Sequence, residues 1–263
     1  MPRTTGDQIG LTERTVVVLE AVVDAGEPVG PRGLSRTTGI DRSAVSRILR
    51  QLEELEILAR RDDGYVPGPR LFAMGRVLQA NDSLGDAVNE ILGRLVDRFD
   101  ETCYVCTFHG ETAVFTHQVQ STKPLRLVAE LGKPVPLHAG AAGRAILSAL
   151  PDDEIRRLLA ETGLDRVTPG TVTNLDRILI LAAEDRERGF SISREERIHG
   201  GAAIAAPFFA AGGRCQGSIV FTCPMSRLDP ERIEEIGSAL AEAAADVSIR
   251  IGHRPGRKEP SRV

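Results

Sequence analysis

The chain has 263 residues, 41% of them hydrophobic, enough for two domains each with its own core, and it carries a formal net charge of −4. No run of about 18 apolar residues occurs, and the opening MPRTTGDQIG lacks the apolar stretch of a secretory signal, so no membrane span is expected and a cytoplasmic location is. Four cysteines, Cys103, Cys106, Cys215 and Cys223, are too few to staple a chain of this size and read as reduced thiols.

The charge is unevenly placed. Residues 1–76 balance 11 arginines against 11 acids, whereas the rest holds 22 basic residues against 26 acids. Within the first part, 30–52 carries Arg32, Arg36, Arg42, Arg47 and Arg50 against Asp41 alone, a local basic cluster of the kind that meets phosphates.

The apolar spacing predicts a helix over Leu11 to Ala25, with Val16, Leu19, Val22 and Val23 closing a small core. A short helix follows over Pro31 to Thr38, with Leu34 its main apolar residue, and Gly39 and Asp41 supply a turn and an N-cap. In the next helix Val45, Ile48, Leu49, Leu52 and Leu55 fall on one arc, opposite Ser43, Ser46, Arg47 and Arg50. Then "LARRDDGYVPG" reads as a strand, an Asp-Gly turn and a strand, with Arg60 and Arg61 at the base. An isolated helix with such a polar face is usually just solvated. Helix, helix, turn, helix and hairpin in this order form a winged helix-turn-helix, which sets the third helix in the DNA major groove. The expected DNA contacts are Arg32, Arg36, Arg42, Ser43, Ser46, Arg47, Arg50, Arg60 and Arg61.

Residues 11–76, ending in "YVPGPRLFAMG", resemble the DNA-binding module of the isocitrate lyase regulator (IclR) family of bacterial transcription factors. The stretches "GKPVPLHAGAAGRAILSALPDDE", "TVTNLDRILILAAEDRERGFSISREERIHGGAAIAAPFF" and "VFTCPMSRLDPERI" resemble that family's effector-binding domain, in order and at similar spacing. The resemblance covers nearly the whole chain. It implies an α+β protein, a winged helix-turn-helix at 1–70, a linker helix at 71–82, a sensor domain similar to the GAF and PAS folds at 83–252, and a flexible tail at 253–263.

In the second domain, helical patterns run over 72–79 and 84–99. Strand patterns follow at 103–108 and 113–119, and again at 203–210 and 215–222 around "AGG". Helices are expected at 141–150, 152–161, 174–188 and 230–250, giving an antiparallel sheet with helices packed on it. The candidate chemistry lies at "LHAGAAGRAIL". A small-residue turn opening a helix leaves its first amides free for an anion, with those of Ala141 and Ala142 best placed. Close packing of helix on sheet explains such a turn about as often.

The resemblance implies that these amides hold the carboxylate of a small organic acid, with Leu127, Val135, Ser193, Ala203, Val220 and Thr222 around it and Glu196 at a position where the family carries an acid. Period-two alternation independently puts Ser218, Val220 and Thr222 on one strand face. Where members that bind two- and three-carbon keto acids have an aspartate, a cysteine and a serine, this chain has Ser193, Ala203 and Val220, which implies a larger, partly apolar or aromatic acid. His199 is a further candidate for a polar ligand contact.

Cys103-x-x-Cys106 stands alone on a strand, where positions three apart face opposite ways, so no metal is expected. No G-x-S-x-G, phosphate-loop lysine or H-E-x-x-H surrounds His138 or Cys223, so neither catalysis nor a cofactor is expected. The alternative is a metabolite-binding protein or enzyme whose basic helix docks a protein partner, which leaves the wing without a role. The expected partners are a two-fold operator in double-stranded DNA, a small carboxylate, and further copies of the chain in a dimer or tetramer.

Overall fold

The computed structural model describes residues 10–80 and 83–253, so the expected tail from 254 onward lies outside the described residues. The chain divides into two compact units, Met1–Asp82 and Ser83–Val263.

In the first unit, α1 (Leu11–Ala25), α2 (Pro31–Thr38) and α3 (Arg42–Glu54) pack round Val18, Val22, Leu34, Val45, Ile48 and Leu49. The α1 core positions differ from those expected. Val18 and Val22 are buried, whereas Val16 and Val23 are 48% and 47% exposed. At about 100° per residue they fall roughly 160° and 140° round from Val18, and a valine-rich run offers more than one stripe. Leu55 is also exposed, because α3 stops at Glu54 and Leu55 serves as its C-cap.

The hairpin β1 (Leu58–Arg61) and β2 (Gly64–Pro67) is the wing. Its two-residue loop is Asp62–Asp63 and not Asp-Gly, since Gly64 already pairs with Arg61. Glycine is needed at 64 for another reason. Its φ is +152°, and a Cβ there would lie 2.6 Å from the Val29 backbone, which crosses to bridge Tyr65. Helix α4 (Pro69–Ala80) follows directly, opening on a proline that needs no hydrogen bond there.

The second unit is built on one antiparallel sheet in the order β5-β4-β3-β8-β7-β6. Its strands are β3 (Thr102–His109), β4 (Thr112–Val119), β5 (Pro134–Val135), β6 (Ser191–Arg194), β7 (Gly201–Phe209) and β8 (Cys215–Pro224). Strands β5 and β6 were not legible as strands: one has two residues, the other four. Alternation sends Cys103, Val105, Ile204, Ile219 and Phe221 to one face, under α5 (Ser83–Phe99) and α9 (Ile233–Arg250). Tyr104, Cys106, Phe115, Ala205 and Val220 go to the other, under α6 (Ala141–Ser148), α7 (Asp152–Thr162) and α8 (Leu175–Arg188). With both faces covered, the central strands are almost continuously buried, which is why they read as apolar runs.

Candidate functional site

On α3, Asp41 caps the helix by accepting from the amides of Ser43 (2.9 Å) and Ala44 (3.1 Å) and from the Ser43 hydroxyl. The Ser43 hydroxyl, then the Ala44 amide, hold its carboxyl below the usual value. Ser43, Ser46, Arg47 and Arg50 follow at i, i+3, i+4 and i+7, so they share the outward face. Both hydroxyl protons are already used: Ser43 donates to Asp41 and Ser46 to the Arg42 carbonyl at 2.8 Å. They therefore offer lone pairs outward, not free O–H donors. Arg32, Arg36, Arg42, Arg47, Arg50, Arg60 and Arg61 are all exposed, and among the described residues none has an ion-pair partner. The second unit contrasts with this, since its exposed Arg94, Arg98 and Arg157 are each paired with a carboxylate.

In the second unit, a cavity opens where α6 meets the sheet, walled by Phe115, Leu127, Ala142, Ala203 and Val220. Gly140, at φ +97°, turns the chain into α6. Gly143 lets the helix lie on the preceding loop, for a Cβ there would meet the Leu137 backbone at 2.5 Å. The Gly140 amide donates to Glu196 at 3.3 Å. The amides of Ala141 and Ala142 have no acceptor among the described residues, and both residues line the cavity. Ser193 is 96% buried, its rim hydroxyl unbonded among the described residues.

The loop after β6 is held by a buried network. Arg144 on α6 donates to Asp185 (2.8 Å) and to both oxygens of Glu196 (2.8 and 2.7 Å), and also to the Ile192 carbonyl. Burial opposes the guanidinium charge, but the Glu196 and Asp185 carboxylates outweigh it and hold the group above its usual value. The Thr168 and Thr171 hydroxyls donate to the Glu196 carbonyl at 3.1 and 2.7 Å.

Of the expected effector-contact residues, Leu127, Ala141, Ala142, Ser193, Ala203, Val220 and Thr222 line the cavity. Two do not. Val135 is packed in the core under α6, because β5 lies at the far edge of the sheet. Glu196 is not among the lining residues and turns inward to Arg144, with which it pairs at 2.7 Å. His199 is 85% exposed and faces Glu195 at 3.3 Å, outside the cavity. Cys103 and Cys106 point to opposite faces, and burial raises the Cys106 thiol to about 12. Sequence reasoning missed Phe115 and Arg197. Alternation with Ala113 along β4 would have found Phe115. Arg197 sits in a loop with no period to read.

A family model described as "Bacterial transcriptional regulator IclR C-terminal" matches residues 77–249. The chain belongs to the IclR family of bacterial transcriptional regulators. A MarR family model matches residues 9–65, over the helix-turn-helix and wing. Among curated relatives, the HTH-type transcriptional repressor AllR of Klebsiella pneumoniae is 29% identical over 92% of this chain and 90% of its own. Among solved structures, an IclR regulator from Silicibacter sp. TM1040 superposes with a TM-score of 0.79 at 22% identity, over 96% of this chain and 100% of that one. An IclR homologue from Microbacterium hydrocarbonoxydans, complexed with 4-hydroxybenzoate, superposes with a TM-score of 0.77 at 20% identity, over 92% and 99%. The chain is thus a transcriptional regulator with an amino-terminal helix-turn-helix and a carboxy-terminal sensor domain. No described helix is long and apolar enough to cross a membrane.

Proposed function

We propose that this regulator reads a two-fold operator as a homodimer or homotetramer in the cytoplasm, and that a small carboxylate in the α6 cavity shifts its affinity for DNA, with no catalytic step. The division of labour is a DNA-binding domain at 1–70, a linker at 71–82 and a sensor at 83–252. The observation that carries the effector reading is the pair of free amides of Ala141 and Ala142 on a cavity whose lining side chains include no carboxylate. A helix start of this kind favours an anion through both its N–H groups and its partial positive charge. The 4-hydroxybenzoate complex of the Microbacterium relative supports a carboxylic acid as the ligand class.

For DNA, the unpaired arginines of α2, α3 and the wing supply phosphate contacts, and Arg47 and Arg50 reach base edges, flanked by Ser43 and Ser46. Exposed Val16 and Val23 on α1, and Phe72, Met74 and Val77 on α4, leave apolar surface that a second copy would cover. Neither candidate for catalysis is set up for it: Cys223 is buried under α9, its thiol raised by burial to about 12, and the His138 Nε2 bonds the Asp165 carbonyl at 2.9 Å.

The test starts with selecting bound fragments from sheared genomic DNA, then follows binding of the enriched site by fluorescence anisotropy while carboxylic acids are added. Ala141→Pro removes one amide at the helix position where proline is best tolerated. It is expected to leave operator binding intact and abolish the response to acid. An undiminished response would overturn the amide cradle, and failure to enrich any two-fold site would overturn the operator reading.

A further inference from the structure

Arg197 is the cation of the cavity. Its Cζ lies 4.8 Å from the centroid of Phe115, which in turn packs on Tyr104 with centroids 4.9 Å apart. The other shielded arginines of this unit are matched by carboxylates: Arg144 by Asp185 and Glu196, Arg227 by Glu101. Arg197 has no carboxylate partner among the described residues, and burial lowers its pKa from the usual guanidinium value. Stacking on a ring uses the flat face of a guanidinium and leaves its N–H edge free to grip a carboxylate with two parallel bonds.

The cavity therefore has two separate places for negative charge. One is the start of α6, worth about half a positive charge. The other is the Arg197 edge, a full one. Ala203 and Val220 line the same cavity and suit methylene groups, and Ser193 supplies one more hydroxyl. The space open to water-sized atom centres is about 40 Å³, room for roughly three waters. A cavity this narrow favours a short-chain acid over the larger or aromatic one implied by the sequence.

Resting on the carboxylate reading above, we propose that the ligand is a short-chain dicarboxylate, with one carboxylate on the Ala141 and Ala142 amides and the other on the Arg197 edge. Neither group is transferred or altered; the ligand is bound and released unchanged.

The experiment titrates the full-length protein calorimetrically, at constant ionic strength, with two series matched in carbon count: acetate, propionate and butyrate against oxalate, malonate and succinate. At least one dicarboxylate is expected to bind about 10- to 100-fold more tightly than its matched monocarboxylate, the range given by a charge-assisted pair. In Arg197→Met, whose side chain keeps the stack on Phe115, that preference should vanish while monocarboxylate affinity stays within about threefold. Arg197→Lys, a point charge without the fork, should recover only part of it. Equal affinity for the two series in the unaltered protein, or a preference that survives in Arg197→Met, overturns the dicarboxylate assignment and leaves the carboxylate reading standing. If no acid of either series binds, the amide cradle itself fails and this inference with it.

Discussion

Replacing Arg144 by methionine removes the cation from the most buried charge network in the sensor domain while keeping most of the side-chain length. Arg144 and Asp185 have 2% of their side-chain surface exposed and Glu196 has 10%. The substitution strips three hydrogen bonds from the two carboxylates and one from the Ile192 carbonyl. Arg188 still faces Asp185 at 3.2 Å, but Glu196 keeps only the Gly140 amide. Losing one member of a buried pair costs about 3 to 5 kcal/mol, because the remaining charge is left without compensation. For a domain of this size each kcal/mol lowers the melting point by roughly 2 to 4 °C, so a fall of about 12 °C is expected in the sensor-domain transition. Thermal unfolding followed by circular dichroism and calorimetry reads it directly. Arg144→Lys, which restores a charge but cannot span Asp185, Glu196 and Ile192 together, should recover about half. A drop of under 3 °C in Arg144→Met would refute the claim that this network fastens α6 to α8 and the loop after β6.

Arg47→Ala and Arg50→Ala should each cost about 1 to 3 kcal/mol of operator affinity and relax specificity at one base pair, whereas Arg60→Ala should weaken all sequences alike and reduce the salt slope by about one unit. Equal, sequence-independent losses in anisotropy titrations would remove the base-reading role from α3. Asp41→Ala should lower the melting point of the DNA-binding domain, and Asp41→Asn much less, since an amide oxygen still caps. Because the Asp41 carboxyl is held below its ordinary value of 3.8, its contribution is fully present above that pH and lost as pH falls through the lower folded-state value. A cap effect unchanged between pH 6 and pH 2 would contradict this. Gly143→Ala puts a methyl within 2.5 Å of the Leu137 backbone, so it should cost about 1 to 3 kcal/mol and weaken acid binding by shifting the start of α6. Calorimetry that finds both unchanged would show that the helix does not need that contact.

What was legible in the sequence follows from how strongly each element is patterned. The helices α3, α5 and α9 and the strands β3 and β8 carry long periodic runs, and their bounds were close to those found. Helix α1 was right in extent but only partly right in facing, because five valines and a leucine within eight residues support more than one stripe. The edge strands β5 and β6 were invisible, since two to four residues hold no period. At the cavity, small residues before α6 pointed to free amides through a local rule of helix ends. Arg197 could not be found that way, because its place depends on Phe115, brought to it from β4 by the fold. Glu196 was misread for the mirror reason: an acid near a cavity looks like a ligand contact until a buried arginine 52 residues earlier is seen to claim it.

Residues 196 and 197 are neighbours in sequence with opposite obligations. Glu196 is locked to Arg144, and its carbonyl is held by two threonine hydroxyls. Glu195, just before it, sits at φ +57°, a left-handed backbone closed by its own bond to the Gly200 amide at 2.7 Å. The backbone beneath Arg197 is therefore set when the domain folds, and a ligand spends little free energy ordering it. It also means that the loop combines a fixed backbone with an exchangeable side chain. If Arg197 grips the ligand as proposed, a regulator built this way can acquire a taste for a different metabolite by changing one side chain, without renegotiating the fold that carries it.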